Sequence, residues 1–339
     1  MDADGQVDLV LPGCDEPTCT VPVIYMHSKN TWLKLLAASD AEHATWRFPD
    51  GDFRSTDLLN FPPVLRLGDF TMDGYPDAVA VFEGKGSKRM AFLLENVPCS
   101  NGDTSCFGSR ALAFKTKIDD DAAMISFFDV YENGILDFLV VVKKEDQEGY
   151  AVKAYRNDFN TDTTFLKITV LSGRCYKTCI CKKIETPYGA NLVGAAVSYK
   201  TVSPEGKIQI CSATQLSQSA HFALQLPYTL FGLGRSPNFV DKVQVGIPQS
   251  DGKVNRVHSW MSLIPNSQVI VIPFPPDKPY EWMTKLLVTP SKLLLQTGGV
   301  LIGTCVFVAG LILMLYIKEK REDEKEKRQE AHKFHFDAL

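Results

Sequence analysis

The chain has 339 residues, a net charge of −4, 45% hydrophobic and 22% charged residues. That length accommodates two domains and an anchor, and the composition is that of an ordinary globular all-β protein. The mild acidic balance points away from nucleic acid as a partner.

The first element is an acidic loop. Asp2, Asp4 and Asp8 surround Gly5, and an apolar stretch follows. The second loop lies in LRLGDFTMDGYPDAVAVF. Asp69, Thr71 and Asp73 alternate, Gly74 turns the chain, the Tyr75 carbonyl can face inward, and Asp77 closes the loop inside an apolar strand. The third, ISFFDVYENGILDFLVVV, has Asp129, Asn133 and Asp137 around Gly134, with Tyr131 where a short side chain is expected. The anchor glycines are 69 and 60 residues apart, the spacing of a repeat. Alternating oxygen side chains, one backbone carbonyl and a glycine turn suit Ca²⁺, which takes six to eight oxygens at about 2.3–2.6 Å. Calcium is therefore the expected structural cofactor, best at the second loop, then the first, then the third. An EF-hand is excluded. Its twelfth-position glutamate would fall on Ala80 or Val140, and the residues after each loop read as strands. Strands are predicted over 78–82, 90–95, 138–143, 149–155 and 164–171, with a turn at 84–88.

These loops resemble the FG-GAP repeats of integrin α-chain propellers, whose pattern is Asp-x-Asp-x-Asp-Gly-x-x-Asp. The resemblance implies four-stranded propeller blades. The repeats cover too few blades to close a propeller. Their first loop begins at Met1 with its first ligand position missing, and no signal peptide precedes it. The expectation is that this is part of a longer chain.

Beyond Gly173 the repeat stops and a new set of strands begins near 188–200. It continues through 208–211, 221–226, 242–246 and 269–273, with hairpin signals at Pro204-Glu-Gly and Asp251-Gly. This predicts a β-sandwich. Gly189–Ala195, Ser217–Phe222 and Phe231–Arg235 resemble the module that follows FG-GAP repeats in ASPIC/UnbV-type proteins. The glycines of Phe231–Arg235 lack the spacing of a nucleotide loop.

Cysteines cluster in close pairs, which predicts disulfides in an oxidising compartment. Cys14 is expected to pair with Cys19 and Cys99 with Cys106. Cys175, Cys179, Cys181 and Cys211 form a second group with three possible connectivities. Cys305 lies in an apolar segment, and no Asn-x-Ser/Thr sequon occurs.

Residues 293–317 carry no charge and are long enough to span a bilayer. Three lysines lie in 278–292 and seven Lys/Arg in 318–333. The positive-inside rule then places the tail in the cytoplasm and the β domains outside. Gly299 and Gly303 are spaced as in a helix-dimer contact.

The predicted fold is all-β. Incomplete FG-GAP propeller blades (1–172) precede a β-sandwich-like domain (173–275), a juxtamembrane stalk (276–292), a transmembrane helix (293–317) and a cytoplasmic tail (318–339). This order resembles that of the integrin-α FG-GAP repeat-containing membrane proteins. The resemblance implies a type I plasma-membrane glycoprotein, open to shedding, that modulates T-cell function. The expected partners are a protein ligand or receptor at the cell surface and the bilayer through 293–317. His27, His43, His221 and His258 form no catalytic motif, and the carboxylates are committed to the loops, so an enzyme is not expected. The competing readings are a propeller-based glycoside or ester hydrolase and an integrin-like adhesion receptor.

Overall fold

A computed structural model describes the chain outside residues 17–20, 38–45, 50–63, 100–108, 145–148, 159–162, 174–188, 203–205, 207, 219–223, 236–238, 250–254, 289–291 and 337–339. The chain divides into two units, Met1–Thr289 and Pro290–Leu339.

Within the first unit, three antiparallel sheets follow one another. β1 (Leu9–Cys14), β2 (Pro22–Ser28) and β3 (Thr31–Ala37) form the first. β4 (Arg66–Gly68), β5 (Asp77–Glu83), β6 (Arg89–Pro98) and β7 (Arg110–Asp120) form the second, and β8 (Ala122–Phe128), β9 (Asp137–Lys143) and β10 (Tyr150–Tyr155) the third. Each is a meander in chain order, as expected of blades. A short 3₁₀ turn at Lys85–Ser87 joins β5 to β6.

Side-chain alternation explains how the blades stack. β5 is buried along its whole length. Ala78, Ala80 and Phe82 pack with Ile24, Met26 and Leu36 of the first sheet, while Val79 and Val81 pack with Ile125, Phe127, Phe138 and Val140 of the third. A strand covered on both faces reads as a continuous apolar run, as Ala78–Phe82 does.

The sandwich comprises β11 (Thr164–Val170), β12 (Ala196–Val202), β13 (Ile208–Thr214), β14 (Thr229–Gly234), β15 (Val240–Gly246), β16 (Val257–Leu263), β17 (Ser267–Ile272) and β18 (Met283–Val288). One sheet runs β14-β11-β17-β18 and the other β13-β12-β15-β16. Their shared core includes Ile168, Val170, Val197, Tyr199, Leu233, Val243, Val245, Val269 and Val271.

Three expectations change here. The strand at 164–171 does not complete the third blade: β11 pairs antiparallel with β14 and parallel with β17, inside the sandwich. Its inward face carries Leu166, Ile168 and Val170, whose apolar partners lie in the opposite sheet. The glycine-rich stretch 231–235 lies largely within a buried strand, β14, whereas the described part of the predicted strand 221–226 is irregular. The stalk expected from 276 begins too early, because β18 pairs with β17 from Met283 to Val288.

In the second unit, α1 (Lys292–Phe336) is the one described helix long and apolar enough to cross a membrane. Its exposed apolar residues run from Leu295 to Ile317, within the predicted span.

Candidate functional site

The three acidic loops share one backbone. Gly5, Gly74 and Gly134 have φ of +83°, +89° and +79°, and the residues two places earlier, Ala3, Met72 and Glu132, are also left-handed at +58°, +60° and +51°. Glycine is further required by close approach. A Cβ on Gly74 would lie 1.7 Å from Gln209 Nε2, one on Gly134 2.4 Å from the Phe165 ring, and one on Gly5 2.7 Å from Ile210 Cγ2. All three obstacles belong to the sandwich.

Side-chain hydrogen bonds repeat in step. The backbone amides of Gln6, Tyr75 and Ile135 donate to Asp4, Asp73 and Asn133 Oδ1 at 2.8, 2.9 and 3.0 Å. Asp73 N and Gly74 N donate to Asp69, as Asn133 N and Gly134 N donate to Asp129. The closing aspartates reach back. Phe70 N and Thr71 N donate to Asp77 Oδ2, and Val130 N donates to Asp137 Oδ2. Thr71 Oγ1 also donates to Asp77. Each closing aspartate then accepts the amide of an asparagine: Asn96, 19 residues on, at 2.9 Å, and Asn157, 20 residues on, at 2.8 Å. In return Asn96 Nδ2 donates to Pro76 O and Asn157 Nδ2 to Leu136 O. The pairs Asp77/Asn96 and Asp137/Asn157 are a second repeat signal that the loop pattern does not contain.

The first aspartate of each complete loop also receives a donor from the sandwich. Gly232 N donates to Asp69 Oδ2 at 2.9 Å, and Lys167 Nζ to Asp129 Oδ2 at 2.8 Å. Nearby, Cys211 Sγ donates to Gly74 O, Ile210 N to Ala3 O, and Gln268 Nε2 to Glu132 O. The loops are therefore where blades meet sandwich. In the first loop, Lys29 Nζ lies 2.9 Å from Asp4 Oδ2, Asp2 Oδ1 accepts Asp4 N, and Asp8 pairs with the terminal ammonium.

Electrostatics distinguish the second loop. Asp69 and Asp77 are buried and Asp73 is exposed. Burial, and then the charges of Asp73 and Asp77, push the Asp69 carboxyl well above the usual carboxylate range, against the pull of Gly74 and Gly232 N–H. Burial likewise raises Asp77 to about 6, opposed by the Asn96 and Thr71 amides. Arg110 Nη2 lies 3.5 Å from Asp73 Oδ2, with its guanidinium stacked 3.5 Å over the Tyr75 ring.

Among the described residues, no group of three or more His, Cys, Asp or Glu side chains is arranged to hold a metal. The second loop still fits calcium in its donor set: three carboxylates, a hydroxyl and the Tyr75 carbonyl, with like charges held together. The third does not fit, because an ammonium already sits on Asp129.

Cys211 departs from the expected disulfide group: its thiol is free. Burial raises it to about 11, and it faces Gly74 O and Tyr199. Cys14 and Cys99 are disulfide-bonded. Their expected partners Cys19 and Cys106, and Cys175, Cys179 and Cys181, lie outside the described residues, as do His43 and His221. His27 packs on Trp32 in the first sheet and His258 on Trp260 in the sandwich.

These features define a class: blade repeats locked through acidic loops to a β-sandwich, followed in the chain by a candidate membrane span. Residues 187–287 match the family profile described as "ITFG1, C2 domain". That match covers β12 to β17 and most of β18, leaving β11 to be supplied from before it. The T-cell immunomodulatory protein of Macaca fascicularis is 46% identical over 304 residues, covering 87% of this chain and 96% of that protein. The human protein of the same name is 44% identical over 100% of this chain and 56% of its own length. Protein linkin of Caenorhabditis elegans is 31% identical over 100% of this chain and 56% of its own. The chain belongs to the T-cell immunomodulatory protein family. It spans about 56% of the length of the human relative.

Proposed function

We propose that this chain is a cell-surface recognition protein, anchored through residues 293–317 with its β domains outside, that binds a protein partner and modulates T-cell function. The observation that carries this reading is the 46% identity to a T-cell immunomodulatory protein of which this chain covers 96%. The candidate span supports attachment to a bilayer, and the excess of Lys/Arg after it supports the orientation.

Calcium belongs to this proposal at the second loop, held by Asp69, Thr71, Asp73, Asp77 and the Tyr75 carbonyl. Its role is structural: a divalent charge would offset carboxylates that are otherwise crowded together. What supports this is the burial of Asp69 beside Asp73 and Asp77.

The test uses the full chain in nanodiscs. Saturable binding to T cells and a change in their activation are expected. Absence of binding, together with glycoside or ester turnover abolished by a single carboxylate substitution, would replace this reading with an ectoenzyme. Protease protection of a tag at Leu339 in intact cells tests the orientation, and a tag cleaved from outside would reverse it.

A further inference from the structure

The third loop contains a cation of its own. The Asp129 side chain is fully buried, and Lys167 is only 6% exposed, with Nζ 2.8 Å from Asp129 Oδ2. The same ammonium lies 4.1 Å from the centroid of the Tyr228 ring, a favourable cation–π placement. Tyr228 closes the contact, because its hydroxyl accepts Asp129 N at 2.9 Å.

The second loop is built differently at the same position. There the donor from the sandwich is Gly232 N, a neutral amide. Both donors come from adjacent strands of one sheet: Gly232 of β14 faces Phe165 of β11, and Lys167 lies two residues further along β11. One sheet thus delivers a neutral donor to a loop with carboxylates at three of its ligand positions and a full positive charge to a loop with carboxylates at two of them, Asp129 and Asp137. In a buried site, like-charge repulsion is weakly screened. An ammonium seated on Asp129 therefore excludes a divalent cation and occupies the oxygen that would ligate it.

We propose that Lys167 is the resident cation of the third loop, holding the third blade to the sandwich without metal. The inference deepens the calcium reading and limits it: the third loop keeps the shape of a metal loop and has exchanged the metal for a lysine. It also accounts for Tyr131, whose bulk is compatible with a loop that need not surround an ion.

The test is calcium titration of the full chain in nanodiscs by calorimetry, with thermal melts in calcium and in chelator. Asn133→Ala removes a candidate ligand of the third loop and is expected to leave the number of bound Ca²⁺ unchanged. Lys167→Gln removes the charge and keeps a donor. It is expected to melt lower than wild type in chelator and to bind one more Ca²⁺ than wild type. Adding Asn133→Ala to it is expected to abolish the extra site. Loss of a bound Ca²⁺ in Asn133→Ala alone would overturn the proposal, as would a Lys167→Gln variant with wild-type calcium stoichiometry. If Lys167→Gln folds only in calcium, that rescue is itself the expected exchange. If it folds in neither, Asn133→Ala decides. Loss of calcium binding in Asp73→Ala separately tests the second loop, so failure of that reading is distinguishable from failure of this one.

Discussion

Gly232→Ala isolates the contact between the second loop and the sandwich. A Cβ at 232 would lie 2.3 Å from Asp69 Oδ2 and 2.5 Å from both Met72 C and Met72 Cα. Two of these obstacles are backbone, so no rotamer change relieves them. Each contact is roughly 1 Å inside van der Waals distance, and the loop must separate from β14. That separation breaks the 2.9 Å bond from Gly232 N to the buried Asp69 carboxyl. Overpacking costs about 1–3 kcal/mol, and leaving the buried donor and acceptor without each other about 1–3 kcal/mol. Together they give about 2–6 kcal/mol, or roughly 4–12 °C in Tm for a unit of this size. Near-UV circular dichroism melts of the full chain provide the assay. Gly246→Ala is the control, because its Cβ would meet nothing closer than Val257 Cγ2 at 3.4 Å. A Gly232→Ala variant melting within about 1 °C of wild type would refute the reasoning, since overpacking alone should cost more than that.

Asp73→Ala should weaken calcium binding and remove calcium-dependent stabilisation, because a ligand bound only to the native state stabilises by mass action; unchanged calorimetric titration would contradict this. Cys211, half-buried with its thiol raised to about 11, should react with iodoacetamide in the native protein at pH 8 more slowly than on unfolding, read by peptide mass; native alkylation at a rate typical of an exposed thiol would contradict the raised thiol. Glu83 is raised by burial but lowered further by its bonds and charge contacts with Arg47 and Arg89, so its folded pKa lies below the ordinary value. Its stabilisation is present above that ordinary value and is lost as pH falls through the folded one. Glu83→Gln should therefore flatten the acid limb of the stability profile, and an unchanged limb would remove Glu83 from it.

The acidic loops were legible because their chemistry is local. Alternation up to Gly74 or Gly134, and an aspartate three residues later, set the turn and its hydrogen bonds within one short segment. What grips the loops was not legible. Gly232 is 163 residues from Asp69, and Lys167 is 38 from Asp129 in a strand of a different domain. No periodicity links such pairs. Asn96 and Asn157 could have been found, since their offsets of 19 and 20 residues nearly repeat. Thr164–Val170 was assigned to a blade because it follows one in the chain, but its partner β17 is parallel and about 100 residues away. β14 was hidden by its glycines, and Gly232 is there because the loop lies against it. Cys211 was grouped with Cys175–Cys181 by residue type alone; its position beside Gly74 O and Tyr199 shows why a thiol fits without a bridge.

The acidic loops and the sandwich should open as one cooperative seam, with calcium proposed at the second loop and Lys167 in its place at the third. Hydrogen exchange of the full chain in nanodiscs, with and without calcium, tests it most directly. Peptides covering 69–77 and 229–234 should be protected together, and calcium should slow both while leaving 129–137 unchanged. Fast exchange of 69–77 beside a fully protected 229–234, or a calcium response confined to 129–137, would contradict it.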